Sequence, residues 1–322
     1  MNEAKNILFD PRFGKRPARF VGRDDVLRDI RAELNDGDEY EKERVLILSG
    51  VKGMGKTSIL AEIRRDIDPG RVVLAESFGE GERGAGEGAL VYMVDDASRD
   101  TPGLCDFLGS FMKRVQDGEN IMLILAGLPH AIGDLQKDEG LSRLRKARRY
   151  ELENVRIEEV AAFYMEAFSH GGPFSAPELP RLLARAAEAT AGYPYLIQLI
   201  GYYLSKENKT IDDKATDKAI FLSKIELYKN VHAPLVWSLS SKDRMFLWVM
   251  AQDEGSSEFG GIAKRMGVTA GYASKYRERL IGAGVVYSSA YGELAFTLPF
   301  MKEYIEKEYI ERLGGEGGKR RL

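Results

Sequence analysis

The sequence feature that most constrains the fold is an eight-residue string at 50–57, Gly-Val-Lys-Gly-Met-Gly-Lys-Thr. It matches the pattern G-x-x-x-x-G-K-[ST], which forms a phosphate-binding loop between a strand and a helix. A strand-like apolar run at 44–49 precedes the string, and a helix-like stretch begins at position 58. This context predicts a P-loop fold that binds the phosphates of a nucleotide.

Each residue type in the loop has a predicted role. Glycines let the backbone fold around an anion with its N–H groups pointing inward, and the following helix adds its positive end. We expect Lys56 to reach the β- and γ-phosphates and the Thr57 hydroxyl to bind Mg²⁺. A glycine-rich turn without a ligand is the alternative. The nucleotide-binding residues predicted in this segment are Gly50, Gly53, Met54, Gly55, Lys56, Thr57 and Ser58.

Two consecutive aspartates, Asp95 and Asp96, close the apolar run at 89–95. A P-loop NTPase needs one carboxylate to hold Mg²⁺ and an acid to position the attacking water. We expect Asp95 to serve the metal together with Thr57, and Asp96 to act on the water. An Asp at position 96, where a Glu would reach further, favours slow hydrolysis or a binding switch. An acidic pair that only faces solvent is the alternative.

Composition limits the classes of protein to which the chain can belong. The chain has 322 residues, 44% apolar and 30% charged, which is enough for two or three globular domains. Its single cysteine excludes an intrachain disulfide, and its three isolated histidines give no metal-ligand spacing. The start lacks a signal peptide, and the apolar stretch at 191–204 is too short to span a bilayer, so we expect a cytoplasmic protein without a membrane partner.

Apolar runs alternate with helical segments over the first half of the chain. The predicted strands lie at 44–49, 71–76, 89–95, 121–126 and 150–155. Several are continuous apolar runs, which is typical of parallel strands buried on both faces. Five such strands with crossover connections predict an α/β fold with a doubly wound parallel sheet. The segment 77–88 contains five glycines, so we expect a flexible linker there, with a second phosphate-binding loop as the alternative.

The rest of the chain changes in pattern. Helical periodicity dominates 156–238 and predicts a helical lid domain after a nucleotide-binding domain at 1–155. From 239 to 313 the order is helix, helix, turn, helix and a strand pair, which is the order of a winged helix-turn-helix domain. The Gly-rich tail at 314–322 is expected to be disordered.

Three short elements outside the loop carry a resemblance to known ATPases. F-V-G-R-D at 20–24 looks like the F-V-G-R-E element that opens many AAA+ and STAND-type ATPases. The segment 10–17 resembles the lead-in of bacterial ATPases related to the origin-recognition group, and G-Y-P at 192–194 resembles the G-x-P element of STAND ATPases. The resemblance implies nucleotide contacts that the loop alone does not predict, at Val21, Gly22, Gly192 and Pro194.

This resemblance identifies the chain as an AAA+/STAND-type ATPase that binds ATP or ADP with Mg²⁺. In related AAA+ proteins an arginine near position 149 reaches a neighbour's γ-phosphate, which makes Arg149 a candidate catalytic residue and a homo-oligomer a candidate assembly. A solvated basic helix face is the alternative. The fourth strand departs from the family because 125–129 lacks a polar side chain, which puts efficient turnover in doubt more than binding.

The candidate recognition helix of the winged-helix segment begins after Thr269, its predicted N-cap. Tyr272, Lys275 and Arg279 share a predicted outer face suited to duplex DNA. Residues 239–313, however, carry ten basic and ten acidic side chains, whereas DNA-binding modules are usually more basic. DNA and a protein partner therefore both stay open as targets. The whole sequence predicts an ATPase whose nucleotide state controls this domain, with a weakly hydrolysing signalling switch or scaffold as the alternative.

Overall fold

The computed structural model describes residues 8–35, 44–74, 89–169, 177–207 and 211–315, and the statements below concern these residues. The chain divides into two compact units, Met1–Ile220 and Phe221–Leu322. The finer domain boundaries at 155/156 and 238/239 stay predictions. The predicted linker at 77–88 and the tail beyond Gly315 lie outside the described residues.

A five-stranded parallel sheet organises the first unit. Its strands are β1 (Val45–Ser49), β2 (Val72–Leu74), β3 (Leu90–Val94), β4 (Ile121–Gly127) and β5 (Arg148–Glu151). Their order in the sheet is β2-β3-β4-β1-β5, and β1 and β4 are buried at every residue. This burial explains why both sequences are continuous apolar runs. The predicted α/β fold with a parallel sheet is confirmed.

The fifth strand differs from its predicted position at 150–155. It lies at Arg148–Glu151, where it pairs with Leu46–Ser49 of β1. Only Tyr150 of this edge strand is buried, so the strand has no apolar run that a sequence pattern could locate. The chain leaves the sheet at Leu152, whose N–H donates to the carbonyl of Ser49 beside the phosphate-binding loop.

Helices connect the strands of the sheet, and further helices follow the last strand. The helices of the first unit are α1 (Asp24–Asn35), α2 (Lys56–Asp66), α3 (Leu104–Gln116), α4 (Pro129–Lys137), α5 (Ile157–Ser169), α6 (Leu179–Ala189) and α7 (Pro194–Ser205), and α8 (Asp213–Leu227) crosses into the second unit. Helices α5 to α7 form a separate apolar core. Phe9 inserts into this core and stacks on Phe168, at a ring separation of 5.7 Å. The N-terminal segment is therefore fixed to the helical part of the unit.

The second unit combines short helices with a three-stranded antiparallel sheet, in which the strand Glu293–Phe296 lies between Ser257–Glu258 and Val286–Ala290. The predicted cap at Thr269 is confirmed, because its hydroxyl accepts from the Tyr272 N–H. Ser240 forms a capping box with Asp243 at the start of another helix of this unit. Within the described ranges, no helix combines the length and apolar composition needed to cross a bilayer. The elements are α9 (Ala233–Ser238), α10 (Ser241–Ala251), β6 (Ser257–Glu258), α11 (Phe259–Arg265), α12 (Ala270–Gly282), β7 (Val286–Ala290), β8 (Glu293–Phe296) and α13 (Met301–Gly315).

Candidate functional site

The loop at 50–57 has the strand–loop–helix geometry that its sequence predicts. Strand β1 ends at Ser49, and α2 begins at Lys56. Gly53 and Gly55 have φ angles of 84° and 89°, a left-handed conformation that side chains other than glycine's disfavour. The Gly50 N–H donates to the carbonyl of Gly127 at the end of β4. The glycines are therefore needed to turn the chain at the carboxyl edge of the sheet.

The Lys56 side chain is held inside this loop. It is only 7% exposed, and its Nζ donates to the carbonyl oxygens of Gly50 at 2.7 Å and Val51 at 3.2 Å. Burial lowers the pKa of the Lys56 ammonium, while the negative charges of Asp96 and Asp95 act in the opposite direction. The loop therefore fixes a cation at its centre, where an anion gains the most from it.

Oxygen ligands suited to Mg²⁺ lie beside this lysine. The Thr57 hydroxyl donates to Asp95 Oδ2 at 2.5 Å, which links the first turn of α2 to the end of β3. Thr and Asp oxygens are the hard donors that Mg²⁺ prefers. Asp96 has a φ of 49°, and its N–H donates to Asp95 Oδ1 at 2.9 Å. The structure thus brings Lys56, Thr57 and the aspartate pair together, and the Asp96 carboxylate is exposed.

The segment around Val21 and Gly22 contacts Val155, which follows β5 in the chain. A Cβ on Gly22 would lie 2.8 Å from Val155 Cγ1, so these two residues are in close contact. The next residue, Arg23, is buried, and its Nη2 donates to the carbonyl of Glu153 at 2.7 Å, with a longer 3.5 Å contact to the Met54 carbonyl. Arg23 was not among the predicted site residues. It ties the F-V-G-R-D element to the loop.

The G-Y-P element also meets the loop, through its middle residue. The Gly192 carbonyl accepts from the Val155 N–H at 2.8 Å, and Pro194 begins α7. Tyr193 is fully buried and donates its hydroxyl to the Lys52 carbonyl within the loop. The sequence interpretation named Gly192 and Pro194 but missed Tyr193. No local pattern marks Tyr193, because its hydrogen-bond partner lies 141 residues away in the sequence.

The N-terminal segment packs against the phosphate-binding loop and the helix that follows it. The Phe13 ring stacks on Tyr195 at 4.5 Å, and the Lys52 ammonium lies 5.2 Å from the same ring. Two residues later, the Lys15 carbonyl accepts from the Ser58 hydroxyl at 3.0 Å. This segment therefore connects α7 with the first turn of α2.

Arg149, the predicted catalytic arginine, is engaged within its own chain. It lies on β5 opposite Ile47, and its guanidinium donates to Gln136 Oε1 and to Glu151 Oε1, the latter at 3.4 Å. Its side chain is about one-third exposed, at 36%. Its position on an edge strand leaves the side chain accessible to another molecule.

The three predicted nucleic-acid residues lie on α12, which faces the core through Ala273, Tyr276 and Leu280. Tyr272 and Lys275 are exposed. Arg279 donates through Nε and Nη2 to Asp243 Oδ1 on α10, at 3.2 and 2.6 Å. The structure therefore joins Arg279 to a carboxylate that is almost completely buried, at 5% side-chain exposure.

We expect Arg279→Ala to lower the free energy of unfolding by about 1–3 kcal/mol, because it removes the charged partner of a buried carboxylate. The matched variant Lys275→Ala, an exposed lysine on the same helix, should change stability by less than about 0.5 kcal/mol. Urea unfolding followed by circular dichroism measures both. Equal stabilities of the two variants would contradict the structural role of the Arg279–Asp243 pair.

Comparison with known proteins gives one partial family match. A family model described as Domain of unknown function (DUF8462) matches residues 229–305. No curated protein matches the chain.

Solved structures share the overall architecture at low sequence identity. The Aeropyrum pernix ORC2 protein, described as ADPNP-ADP complexes, has 12% identity and a TM-score of 0.63, with 95% of this chain and 100% of that chain covered. A mutant of Thermotoga maritima RuvB has 16% identity and a TM-score of 0.51, with coverage of 95% and 100%. Identities this low show the fold alone: the chain has the α/β fold of AAA+ P-loop ATPases.

Proposed function

We propose that this chain binds ATP with Mg²⁺ at the loop at 50–57 and hydrolyses it slowly. The observation that carries the proposal is the buried Lys56 ammonium, bound to two carbonyls of the loop. Burying a cation costs free energy unless partners compensate it, so a buried lysine is unexpected in a turn that binds no ligand. The ammonium has three N–H groups, so one can meet a phosphate oxygen. The ADPNP-ADP complexes of the similar ORC2 protein support an adenine nucleotide as the ligand.

The residues around Lys56 have distinct proposed tasks. Thr57 and Asp95 would hold Mg²⁺, which neutralises phosphate charge when it is bound. Asp96, exposed beside Asp95, would orient the attacking water. Val21 and Gly22 would meet the adenine.

Arg149 would act on the nucleotide of a second copy of the chain. Its contacts to Gln136 and Glu151 would have to open first. An exposed arginine can exchange such surface partners at small cost, because exposed ion pairs contribute little free energy.

We further propose that the helical segment 156–238 acts as a lid and that 239–313 reads out the nucleotide state as a winged helix. A protein partner or a second copy is our preferred target for this segment. Two observations argue against a surface that binds DNA phosphates. The segment 239–313 carries ten basic and ten acidic residues, and Arg279 is paired with Asp243. Duplex DNA is the second candidate, favoured by the exposed Tyr272 and Lys275 on one helix.

The test is calorimetric titration with ATP in the presence of Mg²⁺ and of EDTA, followed by phosphate release with and without duplex DNA. We expect Mg²⁺-dependent binding and slow turnover that DNA does not change. Turnover that DNA stimulates, and that falls steeply between about 50 and 200 mM salt, would assign the winged helix to DNA instead. Absence of ATP binding by the folded protein would overturn the proposal.

A further inference from the structure

Tyr193 is a fully buried polar side chain that the proposed chemistry does not use. Burial raises the pKa of its hydroxyl well above the ordinary value, so the group is a hydrogen-bond donor at all physiological pH values. It donates to the carbonyl oxygen of Lys52, in the middle of the phosphate-binding loop. A residue at the start of the α7 helix therefore determines how one peptide group of the loop is oriented.

The orientation of that peptide matters for the phosphates. The Lys52 carbonyl and the Gly53 N–H belong to one planar trans peptide, so they point in opposite directions. With the carbonyl bound to Tyr193 on one side, the Gly53 N–H faces the other side. A bound carbonyl also polarises its peptide group, which makes the N–H a better donor. If this peptide rotated, a carbonyl oxygen would face the phosphates and repel them.

The close contact of Gly53 with Tyr193 supports the same conclusion. A Cβ on Gly53 would lie 2.0 Å from the Tyr193 hydroxyl oxygen, so the two residues fit only because position 53 has no side chain. Glycine also makes peptide rotation easy, since it populates both signs of φ. The loop thus has a flexible peptide at the place where a fixed hydroxyl holds it.

We propose that Tyr193 is a positioning residue that fixes the Lys52–Gly53 peptide so that the Gly53 N–H is presented to the phosphates of the nucleotide. This inference rests on the proposed ATP site. Because the same residue precedes Pro194, the first residue of α7, phosphate binding and the position of the α7 start are linked. Such linkage is reciprocal: phosphates that hold the loop also hold the start of the helix.

The chain offers a matched control for this role. Tyr164 is also fully buried, and its hydroxyl donates to the backbone carbonyl of Ile197 at 2.8 Å, within the helical core. Tyr193→Phe and Tyr164→Phe each remove one buried hydroxyl-to-carbonyl hydrogen bond. We expect similar losses of thermal stability in both, but a five- to tenfold weaker MgATP affinity, measured by calorimetry, only in Tyr193→Phe, the size expected for one hydrogen bond of roughly 1–1.4 kcal/mol.

The outcomes separate the two proposals. If the wild type does not bind ATP, the proposed function fails. If the wild type binds and Tyr193→Phe keeps its affinity, or if both variants lose affinity equally, only the role of Tyr193 is overturned.

A spectroscopic test works on the wild-type protein even if Tyr193→Phe does not fold. Lys52-Gly53 is the only Lys-Gly pair in the sequence. Labelling lysine carbonyl carbons with ¹³C and glycine nitrogens with ¹⁵N therefore gives one HNCO signal for this peptide. We expect inorganic pyrophosphate with Mg²⁺ to move its amide proton downfield. A signal that pyrophosphate leaves unchanged, while calorimetry shows binding, would overturn the inference.

Discussion

Lys56→Ala is expected to weaken MgATP binding at least a hundredfold. The ammonium is buried in the loop and bound to the carbonyls of Gly50 and Val51, so it meets the phosphates without having to be desolvated or ordered on binding. Truncating a buried, hydrogen-bonded charge at a binding site costs about 3–5 kcal/mol, which corresponds to a factor of roughly 100 or more. Calorimetric titration with MgATP measures the loss.

Lys52→Ala is the matched control for this variant. Lys52 belongs to the same loop and carries the same charge, but its side chain is exposed and its ammonium lies over the Phe13 ring. At an exposed position the charge interacts with phosphates by about 1 kcal/mol, so affinity should fall by about fivefold at most. Equal losses in the two variants would mean that general positive charge, and not the position of Lys56, binds the nucleotide.

The sequence predicted those parts of the molecule that local patterns encode. Four of the five strands lie where apolar runs placed them. For β1, β3 and β4 the reason is burial, because strands buried on both faces must be apolar throughout. Thr269 was recognisable as a cap because a cap is a contact over three residues. The loop was recognisable because Gly53 and Gly55 require a backbone that other residues disfavour.

Contacts between residues far apart in sequence could not be predicted in the same way. Helical spacing correctly placed Arg279 on an exposed face, but nothing in the local pattern shows that Asp243 lies within 2.6 Å of it. Arg23 and Tyr193 were missed for the same reason, since their partners Glu153 and Lys52 are 130 and 141 residues away. A motif identifies the residues that bind the ligand, whereas the fold determines which other residues hold them in position.

Gly192→Ala is expected to destabilise the first unit by about 2–5 kcal/mol, through the sum of a left-handed backbone penalty of roughly 1–2 kcal/mol and a steric clash of roughly 1–3 kcal/mol. Gly192 has a φ of 70°, and a Cβ there would lie 2.0 Å from the carbonyl oxygen of Val155. That atom cannot move aside easily, because the Val155 N–H is bound to the Gly192 carbonyl and the Val155 side chain contacts Gly22. Thermal unfolding of the purified variants measures the effect.

Gly118→Ala separates the two contributions to this loss. Gly118 also has a positive φ, 85°, but a Cβ there would meet no heavy atom of the described chain within 4 Å. Only the backbone penalty applies, so its Tm should fall by about 3–5 °C, against roughly 10 °C for Gly192→Ala. A Gly192→Ala protein as stable as Gly118→Ala would mean that the Val155 backbone moves to make room for the added Cβ. The contact that joins the G-Y-P element to the end of the sheet would then be loose, and Tyr193 could not hold the Lys52–Gly53 peptide in one orientation.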